Sequence, residues 1–276
     1  MVSIINNNNS MSETYLDVAM KNDKKYMYRY PRHMNSEIAY EIKIEDEYQP
    51  FFPYSPTTQY RFTNVSMYSS GSIEQSLFTA DLLSSYFESS ELNHITITDG
   101  TSCIGGNTWA FASTFGWVHA VELDFLHFSF LQHNMSQLGL YNVSYYHDNF
   151  ISQIGKLRQD ILFLDPPWGG VQYIQNPQVG LYSPSGMFYN VPQIIRLIPS
   201  IGENSPRVIC IKLPRNYVTS TLRKQGYPFK KVYTLKTSEG SVLYKLLILS
   251  KEMEKRSVHM SSFSPIRYKK MKYTKV

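Results

Sequence analysis

The stretch Ile161-Leu162-Phe163-Leu164-Asp165-Pro166-Pro167-Trp168-Gly169-Gly170 decides how this chain is read. Four consecutive apolar residues predict a strand buried on both faces, as in a parallel sheet. The strand then meets a carboxylate and two prolines. Neither proline donates a backbone hydrogen bond, so the chain must leave the sheet there. Trp168, Gly169 and Gly170 follow, a composition suited to a loop that passes close to a ligand. In open α/β sheets, ligands sit beyond the carboxyl ends of the strands, and this loop occupies such an end.

The same pattern extends on both sides. Ile73, Leu77, Phe78, Leu82, Leu83 and Phe87 fall near helical spacing. His94 to Asp99 alternates and is β-branched, a first strand ending in an acid. Gly105-Gly106-Asn107-Thr108 opens a helix running to about Phe115. Trp117 to Glu122 is a second strand, 124–138 a helix, and Val143 to His147 a third strand followed by Asp148. The Asp165 strand is the fourth. A helix near 190–199 leads to a fifth strand, Arg207 to Lys212. Lys231 to Leu235 and Leu243 to Leu249 flank Thr237-Ser238-Glu239-Gly240-Ser241, a hairpin signal. The predicted fold is α/β: a Rossmann-like, mostly parallel sheet with one reversed strand in a C-terminal hairpin, preceded by an N-terminal extension. The expected division is an extension over 1–64, partly disordered, a core over 65–250 and a basic tail over 251–276.

Other features bound the function. The 276 residues, 42% hydrophobic and 18% charged, suit one globular domain with extensions. No apolar run approaches the about 20 residues of a membrane span, so no membrane partner is expected. The N-terminus lacks a charged region leading into an apolar one, so no secretory signal is expected. Cys103 and Cys210 lie far apart and outside any metal-ligand spacing, which suits an intracellular, reducing setting. His127 and His133 stand six apart and do not share a helix face, so no metal is expected. The net charge is +5, yet Lys251 to Val276 holds eight Lys/Arg against two Glu, a local +6 that leaves −1 for the rest. In that tail Arg267, Lys269, Lys270, Lys272 and Lys275 flank Tyr268 and Tyr273. It reads as a nucleic-acid arm, a nuclear address or a solvated end. Tyr26 to Arg32 also mixes aromatic and basic residues, suited to nucleic-acid contact or to packing over the core's edge. Asn6 to Asn9 is expected to be disordered, and Phe51 to Pro56 to be a proline-punctuated linker.

Four strands end near acids: Asp99, Glu122, Asp148 and Asp165. At one sheet edge these converge on one cleft, suited to a nucleoside cofactor. Glu122 lies 23 residues after Asp99, the spacing at which an acid meets a ribose diol. Asp148 is placed for an exocyclic amine of adenine. Asp165-Pro166-Pro167-Trp168 fits methyl transfer to an amine. A carboxylate and a proline carbonyl both accept hydrogen bonds from an NH₂ and stabilise charge growing on its nitrogen. Trp168 offers a stacking face, which adds roughly 0.5–2 kcal/mol if the base is cationic. The plain alternative is a turn that ends a strand over a buried tryptophan.

With these motifs in hand, the core resembles the RNA cap guanine-N2 methyltransferase (trimethylguanosine synthase-like) family of S-adenosylmethionine-dependent enzymes, including viral relatives. The resemblance rests on Asp99 with Gly105-Gly106-Asn107-Thr108, Val121 to Asp124, Asp148, Asp165 to Gly170 with Tyr173, and Leu213-Pro214-Arg215-Asn216. It implies S-adenosyl-L-methionine as cofactor, held by Asp99, Gly105, Gly106, Asn107, Thr108, Glu122, Asp148 and Asp165. It implies capped RNA as partner and the 2-amino group of 7-methylguanosine as target. Asp165, Pro166 and Trp168 would be catalytic, and Trp168, Tyr173 and Arg215 would face the substrate. Two departures stand out. Cys103 occupies a position where the family usually has glycine, and fits if its φ stays negative. Tyr68 to Gln75 matches only loosely a segment that helps build both sites.

The loop also permits an N6-adenine methyltransferase. A catalytically silent RNA-binding subunit with this fold is the third reading, motivated by Cys103 and the loose segment. The Asn- and Tyr-rich composition points to an AT-rich genome such as a large DNA virus carries. The number of methyl groups added and the oligomeric state are not encoded in any motif.

Overall fold

The computed structural model describes residues 2–3, 39–43, 51–53, 59–168, 178–199, 202–223 and 226–258. Asn6 to Asn9, Tyr26 to Arg32, Tyr173 and the basic positions from Arg267 to Lys275 lie outside these.

The chain opens with three short strands, β1 (Val2–Ser3), β2 (Ala39–Lys43) and β3 (Gln59–Thr63), paired antiparallel in that order. Two helices follow, α1 (Asn64–Ser69) and α2 (Ile73–Ser84). Each starts with a capping box, Thr63 with Ser66 and Ser72 with Gln75, so both helix starts are written locally in the sequence. Next come β4 (Thr96–Asp99), α3 (Thr108–Ala112), β5 (Trp117–Glu122), α4 (Phe125–Gln137), β6 (Val143–His147), α5 (Phe150–Gln153) and β7 (Ile161–Leu164). A small hairpin, β8 (Gly180–Tyr182) with β9 (Phe188–Asn190), precedes α6 (Val191–Leu197). The chain ends with β10 (Val208–Pro214), β11 (Phe229–Lys236) and β12 (Val242–Ser250).

The main sheet has seven strands in the order β11-β12-β10-β7-β4-β5-β6. β12 runs antiparallel to both its neighbours, while β10, β7, β4, β5 and β6 pair in parallel. This is the expected Rossmann-like sheet with one reversed strand. From β4 the chain winds outward to β5 and β6, then returns to β7 and β10 on the other side. The strand order therefore reverses between β4 and β7, and ligands of open α/β sheets bind outside the carboxyl ends at such a point. Asp99 and Asp165 end those two strands.

All four residues of β7 and all seven of β10 are buried, because helices cover both sheet faces. One face packs Phe111, Phe163, Val208, Cys210, Leu246 and Ile248, and the other Leu162, Leu164, Ile209, Ile211, Leu213 and Leu247.

The expectation of a linker at Phe51 to Pro56 is corrected at its start. Phe51 and Phe52 are 2% and 0% exposed and join Tyr60 and Phe62 in the first cluster. Phe52 stacks on Tyr60 with ring centroids 4.7 Å apart, and Trp109 Nε1 donates to the Phe51 carbonyl at 3.1 Å. Prolines mark where a chain turns, but two adjacent phenylalanines bring enough apolar area to hold it against the core. β3 is fastened to α4 by polar groups. Asn134 Oδ1 accepts from the Arg61 amide at 2.8 Å, and its Nδ2 donates to the carbonyls of Arg61 and Ile104. Residues 251–256 of the expected basic tail also lie on the core, with the Lys255 amide donating to the Ser85 carbonyl and Arg256 hydrogen-bonded to Asp81.

Candidate active site

The turns leaving β4 and β7 are joined across the reversal point. The Asp165 amide donates to Thr101 Oγ1 at 2.7 Å, and the Gly100 amide to the Phe163 carbonyl at 2.9 Å. Glycine at 100 is a packing requirement: a Cβ there would lie 2.5 Å from Leu164 Cδ2 and 2.6 Å from Phe150 Cδ2. The loop then folds over the strand ends. Ser102 donates its amide to the Val121 carbonyl and its hydroxyl to the Asp99 carbonyl. Gly105 has φ 100° and rests on Met135 and Leu131 of α4, while Gly106 faces Ser70. Asn107 and Thr108 start α3.

Asp99 is fully buried. Its Oδ2 accepts from Thr108 Oγ1 at 2.7 Å, and its Oδ1 from the Thr101 amide at 3.4 Å. Burial pushes its carboxyl up to about 7; the two hydrogen bonds oppose this, and the charges of Asp165 and Glu122 add to it. Such a group gives the folded protein a proton that the unfolded chain releases at lower pH. The stability it confers is complete below the ordinary carboxylate range and is lost as pH rises through about 7. The unfolding midpoint should accordingly fall between pH 5 and pH 8. Asp99→Asn should flatten that slope and gain roughly 2–4 kcal/mol over the parent at pH 8. Denaturant titrations at the two pH values check this.

Glu122 ends β5 with its carboxylate held by the chain itself. Oε2 accepts from the Cys103 amide and Oε1 from the Asp124 amide, each at 2.7 Å. Burial raises its pKa, and neighbouring Asp124 adds to the rise, against the lowering effects of His127 and the two amides. A carboxylate has about four acceptor positions, so two remain for a ligand. Asp148 is bound by its own turn, accepting from the Asn149 amide at 2.7 Å and from Gln153 Nε2. Among the described residues, neither Asp99 nor Glu122 forms an ion pair with a lysine or arginine. Asp99, buried without such a partner beside a glycine loop, suits a cationic group of a ligand, and half-buried Glu122 suits hydroxyl donors.

Cys103 departs from expectation. Its φ is 49°, the left-handed region, not the negative value under which a cysteine fits easily. Its amide is committed to Glu122, and that bond sets the local turn. Burial raises the thiol's pKa, so the group is not a ready nucleophile. A left-handed non-glycine residue costs about 1–2 kcal/mol. Cys103→Gly should therefore stabilise the protein by up to about 1 kcal/mol, glycine's greater freedom in the unfolded chain offsetting part of the gain. Cys103→Val should lose at least as much, a difference readable in denaturant midpoints.

Asp165 and Trp168 meet a residue that sequence reasoning did not single out. Lys212 Nζ donates to Asp165 Oδ2 at 2.7 Å and lies 4.8 Å from the Tyr244 ring centroid and 5.7 Å from that of Trp168. Burial raises the Asp165 pKa and Lys212 opposes the rise. Pro166 is buried, Pro167 exposed, and Trp168 partly buried against both hydrophobic clusters. Arg215 and Asn216 are exposed beyond β10. His127 was also missed. It is 3% exposed, with Nε2 3.1 Å from Thr63 Oγ1 and Nδ1 3.9 Å from Cys103 Sγ, so it ties β3 to the loop over Glu122. The sequence signal for Lys212 was a lone cation in the otherwise apolar run Val208–Pro214; His127 had none.

The chain is similar to several known proteins. An uncharacterised protein of Acanthamoeba polyphaga mimivirus is 33% identical over 129 residues, covering 46% of this chain and 48% of its own. Trimethylguanosine synthase of Saccharomyces cerevisiae is 29% identical over 152 residues, covering 50% of this chain and 46% of its own. The matches thus span about half the length of these relatives. Among solved structures, a SAM-dependent methyltransferase from Agrobacterium tumefaciens matches with a TM-score of 0.47 and 10% identity, over 75% of this chain and 72% of that one. The sequence profile of RNA cap guanine-N2 methyltransferases matches residues 94–256, which hold the whole seven-stranded sheet and the acids Asp99, Glu122, Asp148 and Asp165, and the chain belongs to that family.

Proposed function

We propose that this protein methylates the exocyclic 2-amino group of a 7-methylguanosine RNA cap. The observation that carries the reading is the placement of Asp165-Pro166-Pro167-Trp168 at the β4/β7 reversal point, with the Asp165 carboxylate half-buried and fixed. The family consists of S-adenosylmethionine-dependent methyltransferases. The residues present suit that cofactor, because its cationic groups match an acid, Asp99, that has no lysine or arginine partner among the described residues, and its ribose diol matches the two acceptor positions left open on Glu122. Asp99, Glu122 and Asp148, with the loop through Gly105, Gly106, Asn107 and Thr108, would hold it. When bound, S-adenosylmethionine would supply a sulfonium-activated methyl group for the amine nitrogen, with the sulfur departing as a neutral thioether and the amine proton passing to solvent.

The chain's own residues orient the amine. Asp165 and the Pro166 carbonyl accept its hydrogen bonds, turning the lone pair out of the base plane and stabilising charge that develops on nitrogen. Trp168 stacks on the base, and the exposed Arg215 serves the cap side. Orientation does most of the work, because the methyl donor is already reactive.

The test is methyl transfer from labelled S-adenosylmethionine to 7-methylguanosine cap dinucleotide, with unmethylated cap and uncapped RNA in parallel. Turnover on the 7-methyl cap is the expected result. Turnover confined to uncapped RNA would move the reading to an adenine or internal-guanine enzyme.

A further inference from the structure

A lysine in the middle of a sheet needs a reason. β10 is the strand next to β7, with Ile211 registered on Leu164, so Lys212 comes level with Asp165 just where β7 ends. Alternation places Lys212 with Val208 and Cys210 on the face lined by Phe163, Leu246 and Ile248. Its side chain is 9% exposed, and an unpaired ammonium there would be very costly. Three groups receive it: the Asp165 carboxylate and the rings of Tyr244 and Trp168. Replacing a buried ion pair by well-packed apolar residues is often neutral or stabilising, so stability alone does not account for this one. Among the described residues, Lys212 is the one side chain that hydrogen-bonds the Asp165 carboxylate.

We propose that Lys212 is a positioning residue of the methyl-transfer site: its ammonium fixes Oδ2 of Asp165 and keeps the carboxylate anionic, leaving Oδ1 for the substrate amine. This rests on the reading of Asp165 as the amine's acceptor. Burial around Asp165 gives the lysine its role. Asp99 and, beyond it, Glu122 are acids on β4 and β5; Cys210 on β10 and Tyr244 on β12 are buried groups whose own ionisation the Asp165 charge opposes, so they stay neutral. Lys212 is the cation that opposes burial at Asp165. Without it, Asp165 would take up a proton at higher pH and lose an acceptor position to its own O–H. The lysine also braces the loop, since its contact with Trp168 ties the stacking residue to the same ammonium that holds the acceptor.

The experiment follows Lys212→Met, of similar length without charge, and Lys212→Arg, which keeps the charge. Trp168 fluorescence is titrated with pH, taken as the difference from the Trp168→Phe variant so that Trp109 and Trp117 cancel. Protonation of Asp165 beside the ring gives the transition. It should move upward by about one to three pH units in Lys212→Met and stay near the parent's position in Lys212→Arg. The acid limb of the methyl-transfer rate on 7-methylguanosine cap, at saturating cofactor, should move by the same amount. A transition at the parent's pH in Lys212→Met overturns the proposal. If the parent does not methylate the cap, the functional reading fails, but the fluorescence titration still decides whether Lys212 sets the charge of Asp165. Should Lys212→Met not fold, Lys212→Gln is read in the same way.

Discussion

Asp165→Asn should lower kcat on the 7-methyl cap by about 10²–10³, the cost typical of removing one group that stabilises transition-state charge. Asparagine keeps the shape and one acceptor but loses the negative charge opposite the developing ammonium. The fall should appear equally in kcat and kcat/KM, because the interaction is made chiefly in the transition state. Cofactor binding should fall less than turnover, since Asp99, Glu122 and the glycine loop remain. The same substitution has a second consequence. It leaves Lys212 buried without its anion, and breaking a buried pair from one side costs about 3–5 kcal/mol. Adding Lys212→Met should restore most of that stability, because removing both charges also removes the uncompensated one. It should restore none of the activity. Denaturant midpoints and single-turnover rates on the two variants separate the structural loss from the chemical one. Recovery of turnover in the double variant would remove Asp165 from the mechanism.

Trp168→Ala should act mainly on binding. Stacking of a base on an aromatic ring is worth about 1–3 kcal/mol by alanine replacement, so KM for the cap should rise roughly 5- to 150-fold. A 7-methylguanine is cationic, and the part of the stacking that depends on its charge is roughly 0.5–2 kcal/mol. The preference for the 7-methyl over the unmethylated cap should therefore shrink, by roughly 2- to 30-fold. Trp168→Phe should retain a good part of both. The ring also packs against both hydrophobic clusters, so some stability will be lost with it, and thermal unfolding measured alongside marks that share. Unaltered discrimination between the two caps in Trp168→Ala would place the base elsewhere.

Much of the sheet was legible because its signals are local. The apolar run of β7, the alternation before Asp99 and the hairpin residues Thr237 to Ser241 each define an element within a few positions. The acids at the strand ends could be grouped before any coordinates existed, because parallel strands bring their carboxyl ends to one edge. Tyr173 was named from the family resemblance and the far end of the basic tail from its composition, and both lie outside the described residues.

What the amino-acid order determined by itself, then, was the α/β sheet, its reversed strand and the motif that places the chain in its family. Tertiary structure decided the rest. Asp165 and Lys212 stand 47 positions apart, and only the register of β10 on β7 makes them partners. Thr63, Cys103 and His127 come together because β3 packs on α4, which Phe51 and Phe52 help to secure from what reads as a linker. The left-handed φ of Cys103 follows from its amide reaching Glu122 across the loop. Local periodicity reports which face of an element is buried, whereas the charge of a buried acid depends on which distant side chains the fold brings against it.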